Sequence, residues 1–229
     1  MSSTGRGRGP TRRERHRDRE RAIVATTRAL IDDRGRRDAA VDEIARAARI
    51  NKALIYRSFN SKDEIFVLTV VDYLAELEAR GAGLPDTADP VAALRQICER
   101  YIQFCLDYPA FLDCVLALMQ RPASELRELV PGPALFRLGR AMAAALGPLE
   151  RVLATGAARG IFTIDDPAFT ANRLYTQVLG SMHFARVGIG VRESAPGVAV
   201  TFNLDPERVR RACVQDALAL VRITDGGSA

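Results

Sequence analysis

The chain has 229 residues, of which 48% are hydrophobic and 27% are charged. This composition supplies enough apolar material for one large core, or for a small domain and a larger one. No apolar run is as long as a membrane span, and no apolar stretch near the start resembles a signal peptide, so we expect a cytoplasmic protein. Two histidines and four cysteines without C-x-x-C spacing indicate no metal site and no cofactor, and the cysteines are expected to be buried free thiols.

Basic residues are concentrated at the start of the chain. Residues 1–60 contain 16 Arg and Lys against 8 Asp and Glu, whereas residues 61–229 contain 17 against 20. A basic head on a mildly acidic body is typical of a protein that binds a polyanion, although charge alone favours a solvated basic tail without a partner. Only two of the 33 basic residues are lysines, Lys52 and Lys62.

The first part of the chain predicts three helices. Residues 1–13 combine Gly, Ser, Pro and Arg and are predicted to be disordered. Helical periodicity follows and ends at Gly35, and a second, short helix begins near Val41. Three residues, 49–51, separate it from a third helix, which Asn51 is placed to cap. Two short helices joined by a three-residue turn are the layout of a helix-turn-helix, here at about residues 41–59.

The rest of the chain predicts further helices and hardly any strand. A capping box of Ser61 and Glu64 opens a long helix that ends near Gly81 and Gly83, before a linker at 84–88. Asp-Pro pairs, which combine a capping side chain with a proline suited to the first turn, start three of the later helices. The later helices are predicted at about 90–107, 109–120, 123–130, 134–159, 167–187 and 206–223.

Two segments of this region predict departures from straight helix. Gly147-Pro148 predicts a kink within 134–159. Residues 188–204 are predicted to form a long loop before the last helix. The fold class is therefore all-α, an N-terminal three-helix helix-turn-helix domain followed by a C-terminal helical domain. The predicted divisions are a tail at 1–13, the first domain at 14–64, the second at 65–223 and a disordered tail at 224–229.

Particular residues make the helix-turn-helix more specific than its layout. The second helix carries the pair Ile44-Ala45, the third carries Tyr56 and Phe59 three residues apart, and Ser61-Lys62 opens the fourth. Together these residues resemble the tetracycline-repressor-like (TetR) family over about residues 20–66. The resemblance implies a sequence-specific DNA-binding transcriptional regulator, and not an enzyme, that binds a palindromic double-stranded operator as a homodimer.

The resemblance also implies roles for single residues. Tyr56 and Lys62 resemble the phosphate-contacting pair of the family, and Lys52, Ala53 and Arg57 occupy exposed positions of the recognition helix. A cation in the first turn of a helix, such as Lys62, is best explained by a phosphate bound there, because acidic residues are normally preferred at that position. The predicted DNA-contacting residues are Arg49, Asn51, Lys52, Ala53, Tyr56, Arg57, Ser58 and Lys62.

Three positions depart from the family pattern. Ala40, Arg49 and Ser58 stand where the family usually has Thr, Gly and His. Arg49 must therefore keep φ below zero or bear a strain cost, and we expect it to add a phosphate contact. The basic tail can be interpreted as an arm that reaches the minor groove or, equally, as a nonspecific solubilising segment. Its arginines are Arg6, Arg8, Arg12, Arg13, Arg15 and Arg17.

The resemblance implies that the second domain dimerises through its last two long helices, at 167–187 and 206–223. The alternative is that their apolar faces pack only within one protomer. Gly180 is expected to permit close crossing of two helices. The residues predicted for the interface are Leu174, Val178, Gly180, Ser181, Phe184, Val209, Cys213, Ala217 and Leu220.

The family also commonly holds a small-molecule pocket among the other helices. An apolar cavity with a few polar groups suits a small hydrophobic effector, which would release a repressor from its operator. Regulation without an effector, activation of transcription and nonspecific DNA binding stay open, and His183 can also be read as a satisfied buried histidine. The predicted pocket residues are Tyr101, Phe104, Tyr108, Phe111, Met119, Phe136, Met142, Tyr175 and His183.

Overall fold

A computed structural model describes residues 11–81 and 89–221, which form ten helices and one two-stranded antiparallel sheet. The all-α fold class is confirmed, and most predicted helices begin and end within two residues of their expected bounds; the last helix ends three residues early. Arg6, Arg8, the linker at 84–88 and the tail at 224–229 lie outside the described residues. The division of the chain into domains stays a prediction. The elements are α1 (Arg12–Arg34), α2 (Val41–Ala47), α3 (Lys52–Tyr56), α4 (Lys62–Gly81), α5 (Pro90–Asp107), α6 (Pro109–Met119), α7 (Ala123–Leu129), α8 (Gly132–Ala158), α9 (Pro167–Val187), β1 (Ile189–Ala195), β2 (Val198–Asn203) and α10 (Pro206–Leu220).

The first helix begins earlier than its sequence periodicity indicated. The Thr11 hydroxyl accepts the Glu14 N–H at 3.2 Å, and the Glu14 carboxylate accepts the Thr11 N–H at 2.6 Å, which makes a complete capping box. The prediction that residues 1–13 are disordered is therefore wrong for 11–13. Four of the six tail arginines, Arg12, Arg13, Arg15 and Arg17, lie exposed on the first turns of α1 and not in an extended arm.

The three N-terminal helices enclose a small apolar core and are joined by an ion pair. Ile23, Ile44 and Ile55 are almost fully buried in it. The carboxylate of Glu43 in α2 accepts a hydrogen bond from Arg34 of α1 at 2.7 Å and one from the Ala40 N–H at 2.7 Å. These bonds, that of Arg34 first, lower the pKa of Glu43 to about 2. Glu43 thus satisfies a free N–H at the start of α2, where the family threonine is missing.

The start of α4 is bonded to the second half of the chain. The Ser61 hydroxyl accepts the Glu64 N–H at 3.0 Å and donates to the Leu129 carbonyl at 2.8 Å. The Glu64 carboxylate instead accepts the Asn60 N–H at 2.6 Å, so only the serine half of the predicted capping box is present. Because Leu129 ends α7, the residue that caps α4 is bonded to the helical body.

Arg28 joins α1 to the middle of α4. Its guanidinium lies over the Tyr73 ring at 4.2 Å and the Tyr108 ring at 4.9 Å. It donates to Asp72 at 2.8 Å and also to Glu76. Burial alone would raise the pKa of Glu76, but hydrogen bonds from Tyr108, Arg28 and Arg80 outweigh it and lower that pKa. The pair of helices is therefore held by charge-assisted bonds as well as by apolar packing.

The body consists of α4, α5, α8, α9 and α10 packed around one core. α4 and α9 pack on α8, which also contacts α5, and α10 packs against α5 and α9. One continuous helix, α8, runs through Pro148, the position of the predicted kink. The four cysteines are buried and free, as expected. Within 11–81 and 89–221 no single helix is long and apolar enough to cross a bilayer, and α5 and α6 pass that test only together, across a bend of 100°.

The segment between α9 and α10 is a β-hairpin, so the prediction of a loop at 188–204 is wrong. β1 and β2 pair antiparallel with Ile189 opposite Asn203. The connecting turn contains Gly197 at φ +80°, as a type II turn after proline requires. A Cβ at Gly190 would lie 2.4 Å from the Phe202 ring, so the ring packs directly on the glycine. Alternating apolar and polar residues on both sides of a Pro-Gly pair were the overlooked signal.

Candidate functional site

The turn between α2 and α3 contains one left-handed residue, Arg49, at φ +56°. It is the only non-glycine residue with positive φ among the described parts of the chain. Of the two alternatives for this position, the strained one is therefore observed. The Arg49 side chain is exposed, so it is available to a partner.

The predicted DNA-contacting residues lie on the surface around α3, while Ile55 and Phe59 anchor the opposite face in the core. Tyr56 has 54% of its surface exposed, which is unusual for an aromatic residue in a short helix. The side-chain Oδ1 of Asn51 caps α3 by accepting the Leu54 N–H at 2.8 Å. Ser58 is half-buried and donates to the Leu54 carbonyl at 3.2 Å. The exposed members of the set are Arg49, Asn51, Lys52, Ala53, Tyr56, Arg57 and Lys62.

Several cations near α3 are not neutralised by the protein. Lys52 forms an ion pair with Asp42 at 2.9 Å, and this bond raises its pKa. Within the described residues no such pair involves Arg46, Arg49, Arg57 or Lys62. An exposed aromatic residue among uncompensated cations can bind the sugar-phosphate backbone of DNA.

A second candidate site is a cavity of about 380 Å³ between α4, α5, α8 and α9. The rings of Tyr101 and Tyr175 stack in its wall at 5.4 Å with an interplanar angle of 20°. Its volume lies within the range of small-ligand pockets. The apolar part of the lining includes Leu77, Ile97, Ala143, Ala144, Ala145, Leu146, Leu149, Leu174 and Val178, and the charged part is Glu78, Arg100 and Arg151.

Two polar groups of this cavity have buried atoms without a well-formed hydrogen bond. Among residues 11–81 and 89–221, the Nε and Nη1 atoms of Arg100 and the hydroxyl of Tyr101 have no partner at acceptable hydrogen-bond geometry. Burial lowers the pKa of Arg100. Burial, together with the nearby Tyr175 hydroxyl and Cys105 thiol, holds the pKa of Tyr101 well above its usual value, so its hydroxyl is a neutral donor.

Of the predicted pocket residues, the cavity contains Tyr101 and Tyr175 alone. Phe104 and Phe111 are instead fully buried in an aromatic cluster with Tyr73. Tyr108 is half-buried and donates to Glu76 at 2.6 Å. The prediction grouped these residues by aromatic type, but their positions on α5 and α6 turn them into the packed core.

The other predicted pocket residues lie elsewhere as well. Phe136 is 67% exposed on α8, and Met142 is half-buried outside the cavity lining. Met119 and His183 line a separate surface depression beside Asp113. His183 is exposed, so its interpretation as a buried histidine is wrong too. Arg100 was not predicted, because the sequence of α5 does not distinguish it from other charged residues of that helix, such as Arg95 and Glu99.

The predicted interface residues divide into two groups. Leu174, Val178, Val209, Cys213 and Ala217 are buried within the protomer, because α9 and α10 pack on each other and on α5. For these five residues the alternative is observed, in which the apolar faces of the two helices pack within one protomer. Gly180 and Phe184 are exposed, and Ser181 and Leu220 are half-buried.

These observations define the class of protein: a DNA-binding helix-turn-helix protein with a helical body that contains a cavity. Residues 23–68 match the family model described as bacterial regulatory proteins, tetR family. The match covers most of the helix-turn-helix unit and the start of α4, and solved structures of TetR-family regulators share the fold of the whole chain. The resemblance seen over residues 20–66 is confirmed.

Solved structures share the fold at low sequence identity. RolR, in complex with its ligand resorcinol, is 14% identical with a TM-score of 0.66 over 93% of this chain and 92% of its own. PfmR, a TetR family regulator from Thermus thermophilus, is 20% identical with a TM-score of 0.58 over 96% and 100%. AibR, in complex with isovaleryl coenzyme A and operator DNA, is 22% identical with a TM-score of 0.57 over 90% and 100%. No curated protein matches the chain in sequence.

Proposed function

We propose that this protein is a non-enzymatic repressor that binds a palindromic operator as a homodimer and leaves it when a small molecule occupies the cavity. The observation that carries the proposal is the course of α4. This helix begins at Lys62, beside the recognition helix, and Leu77, Glu78 and Gly81 at its other end line the cavity. A single helix of this length spans about 30 Å without interruption.

The DNA-binding half of the proposal rests on exposure and charge. Tyr56 and Lys62 are exposed on neighbouring elements, and Lys62 lies in the first turn of α4, where free N–H groups attract a phosphate. Arg49 and Arg57 add cations that form no ion pair with any residue in 11–81 or 89–221. The α3 surface then reads base edges in the major groove while these groups fix its register on the backbone.

The release half of the proposal rests on the bonds at the start of α4. Asp63 accepts Arg37 at 3.0 Å and pairs with Arg121 at 3.4 Å, so it connects the DNA-binding unit to the body. A ligand that binds better to one position of α4 against α5 and α8 selects the corresponding position of the recognition helix. Ligand-bound RolR and AibR support an effector for this chain.

The dimer in this proposal is formed through the outer face of α9. Phe169, Phe184 and Val187 are 62%, 45% and 52% exposed and recur on one face of this helix, with Gly180 among them. A face with large apolar residues and a glycine suits close packing of two helices. Sedimentation at micromolar concentration is expected to give a dimer, and a monomer would contradict this part of the proposal.

The operator is identified by capture of genomic fragments, which is expected to give a palindromic consensus. Lys62→Ala should then weaken operator binding about tenfold or more and reduce the salt slope by about one unit per protomer, because each half of the homodimer loses one phosphate contact. Arg140→Ala is the matched control, an exposed arginine on α8 that is expected to change neither quantity. Equal affinity for the operator and a scrambled duplex would show nonspecific binding instead.

Arg49→Gly tests the turn separately. We expect it to lower the salt slope of operator binding by roughly one unit per protomer, because each half of the homodimer loses a phosphate contact. Thermal stability should not fall, since glycine adopts φ +56° without the strain that arginine bears. An unchanged slope, measured by titration at several salt concentrations, would eliminate the Arg49 contact.

A further inference from the structure

We propose that the ligand of the cavity is an amphipathic carboxylate, with an apolar body and one anionic head that binds Arg100. The proposal deepens the effector role given above and rests on it for the link to operator release. The binding chemistry itself stands on the cavity wall alone.

The wall of the cavity contains the guanidinium of Arg100. Arg100 is a half-buried residue of the cavity wall, and two of its nitrogen atoms are buried without a hydrogen bond to any of the described residues. Buried charges in proteins are normally paired, because an unpaired one loses its hydration without compensation. Glu78 lines the same cavity, yet it is exposed and forms no ion pair within the described residues. A carboxylate on the ligand supplies the missing partner, and guanidinium groups match that head group well.

The guanidinium is held in place by the backbone of α4. A Cβ built at Gly81 would lie 3.2 Å from both Cζ and Nη1 of Arg100, so the side chain packs directly on this glycine. A bound carboxylate would therefore act at the end of the helix that begins at Lys62. Charge neutralisation at Arg100 and the position of α4 are thus coupled by contact.

The hydroxyl of Tyr101 adds a second donor. It lines the same cavity and is buried, and among the described residues its contacts with the Tyr175 hydroxyl and the Cys105 thiol do not reach good hydrogen-bond geometry. A carboxylate has two oxygen atoms, so it can accept from Arg100 and from Tyr101 together. An alcohol or a hydrocarbon of the same shape would leave the guanidinium unpaired.

The body of the ligand is set by the remaining wall. Alanines 143–145 and the side chains of Leu146, Leu149, Leu174 and Val178 are apolar, and the stacked tyrosine rings add a flat surface. These groups favour an alkyl or aryl body through burial of apolar area. A polar sugar or nucleoside body finds few partners here.

Calorimetric titration of the full-length protein tests the head group. Decanoate and 4-phenylbutyrate are the carboxylate probes, and decan-1-ol is the uncharged match to decanoate. We expect at least one carboxylate to bind, and decanoate to bind at least tenfold more tightly than decan-1-ol if its chain fits. Failure of both carboxylates to bind, or equal affinity for a carboxylate and its alcohol, would overturn the proposal.

Variants of α5 assign the effect to Arg100. Arg100→Met should weaken carboxylate binding at least tenfold and leave binding of the alcohol equal or stronger. It should also raise the melting temperature of the ligand-free protein, because a half-buried guanidinium is removed whose Nε and Nη1 lack hydrogen bonds among the described residues. Arg95→Met, an exposed arginine on the same helix, is the control and should change neither measurement. Unchanged carboxylate affinity in folded Arg100→Met would refute the assignment.

A titration in the presence of the operator separates the two proposals. Arg100-dependent carboxylate binding without any change in operator affinity would uphold the ligand class and refute release by the cavity ligand. Release of the operator by an uncharged ligand of this cavity, independent of Arg100, would uphold the proposed function and refute the carboxylate.

Discussion

Arg28→Met is expected to lower the free energy of unfolding by about 3 kcal/mol, because removal of one partner leaves buried or half-buried charges uncompensated. The Arg28 side chain is 15% exposed and bonds Asp72 and Glu76 while lying over two tyrosine rings. The substitution keeps much of the apolar stem and removes the charge and the donors. Urea denaturation followed by circular dichroism measures the change.

Two further variants make the Arg28 result specific. Arg21→Met removes an arginine of the same helix whose ion pair with Asp18 is exposed, and such pairs contribute at most about 1 kcal/mol. Arg28→Lys keeps the charge but cannot bridge two carboxylates in the same plane, so an intermediate loss is expected. Equal stability of Arg28→Met and Arg21→Met would show that α1 and α4 are held by apolar packing alone.

Gly156→Ala is expected to lower the free energy of unfolding by about 2–3 kcal/mol, as overpacking of a well-filled core does. A Cβ at this position would lie 2.1 Å from Cδ2 and 2.8 Å from Cγ of Phe162. The whole ring must move, and Phe162 is only 3% exposed, so it has little space to do so. Thermal and urea unfolding of the variant measure the loss.

A matched control lies in the same helix. Gly139→Ala places its Cβ in open space, and alanine is favoured over glycine in a helix by about 1 kcal/mol, so this variant should be more stable. The double variant Gly156→Ala/Phe162→Ala should lose less free energy of unfolding than the two single variants lose together, because the clash is absent without the ring. Full additivity, or a stabilised Gly156→Ala, would contradict the contact.

The helix bounds could be predicted because their causes are local. Asp89, Asp166 and Asp205 each accept a backbone N–H of the helix they start, and a proline follows each of them. A capping aspartate and a proline in the first turn act within a few residues of each other, so the sequence alone shows them. The same holds for Asn51, which caps α3 as expected.

The cavity could not be predicted because it depends on which faces of four helices meet. Phe104 and Tyr101 are three residues apart on α5, yet one fills the core and the other lines the cavity. Both are aromatic, so residue type alone makes each an equally good candidate for a pocket. Only the packing of the helices shows which of the two lines the cavity. Arg100 shows the reverse case, since its charge made it a poor candidate for a hydrophobic pocket while its burial without a partner makes it the most informative residue there.

The turn residue Arg49 was predicted in part. Its two alternatives followed from the absence of glycine, but the sequence does not show whether the neighbouring helices can impose a left-handed backbone. The structure shows that they do. The hairpin formed by β1 and β2 was not predicted, because an alternation of period two over six or seven residues is a weaker signal than the helical periodicity of the rest of the chain.

The ion pair between Lys52 and Asp42 has a consequence for discrimination among DNA sequences. In the proposed operator complex Lys52 must exchange the carboxylate for an acceptor on the DNA, and Asp42 is then left close to the phosphates. A site that offers Lys52 a good acceptor compensates this exchange, whereas a mismatched site meets the repulsion of Asp42 without any gain. Asp42 therefore competes with the DNA for Lys52, and this competition lowers the affinity for mismatched sites more than the affinity for the operator.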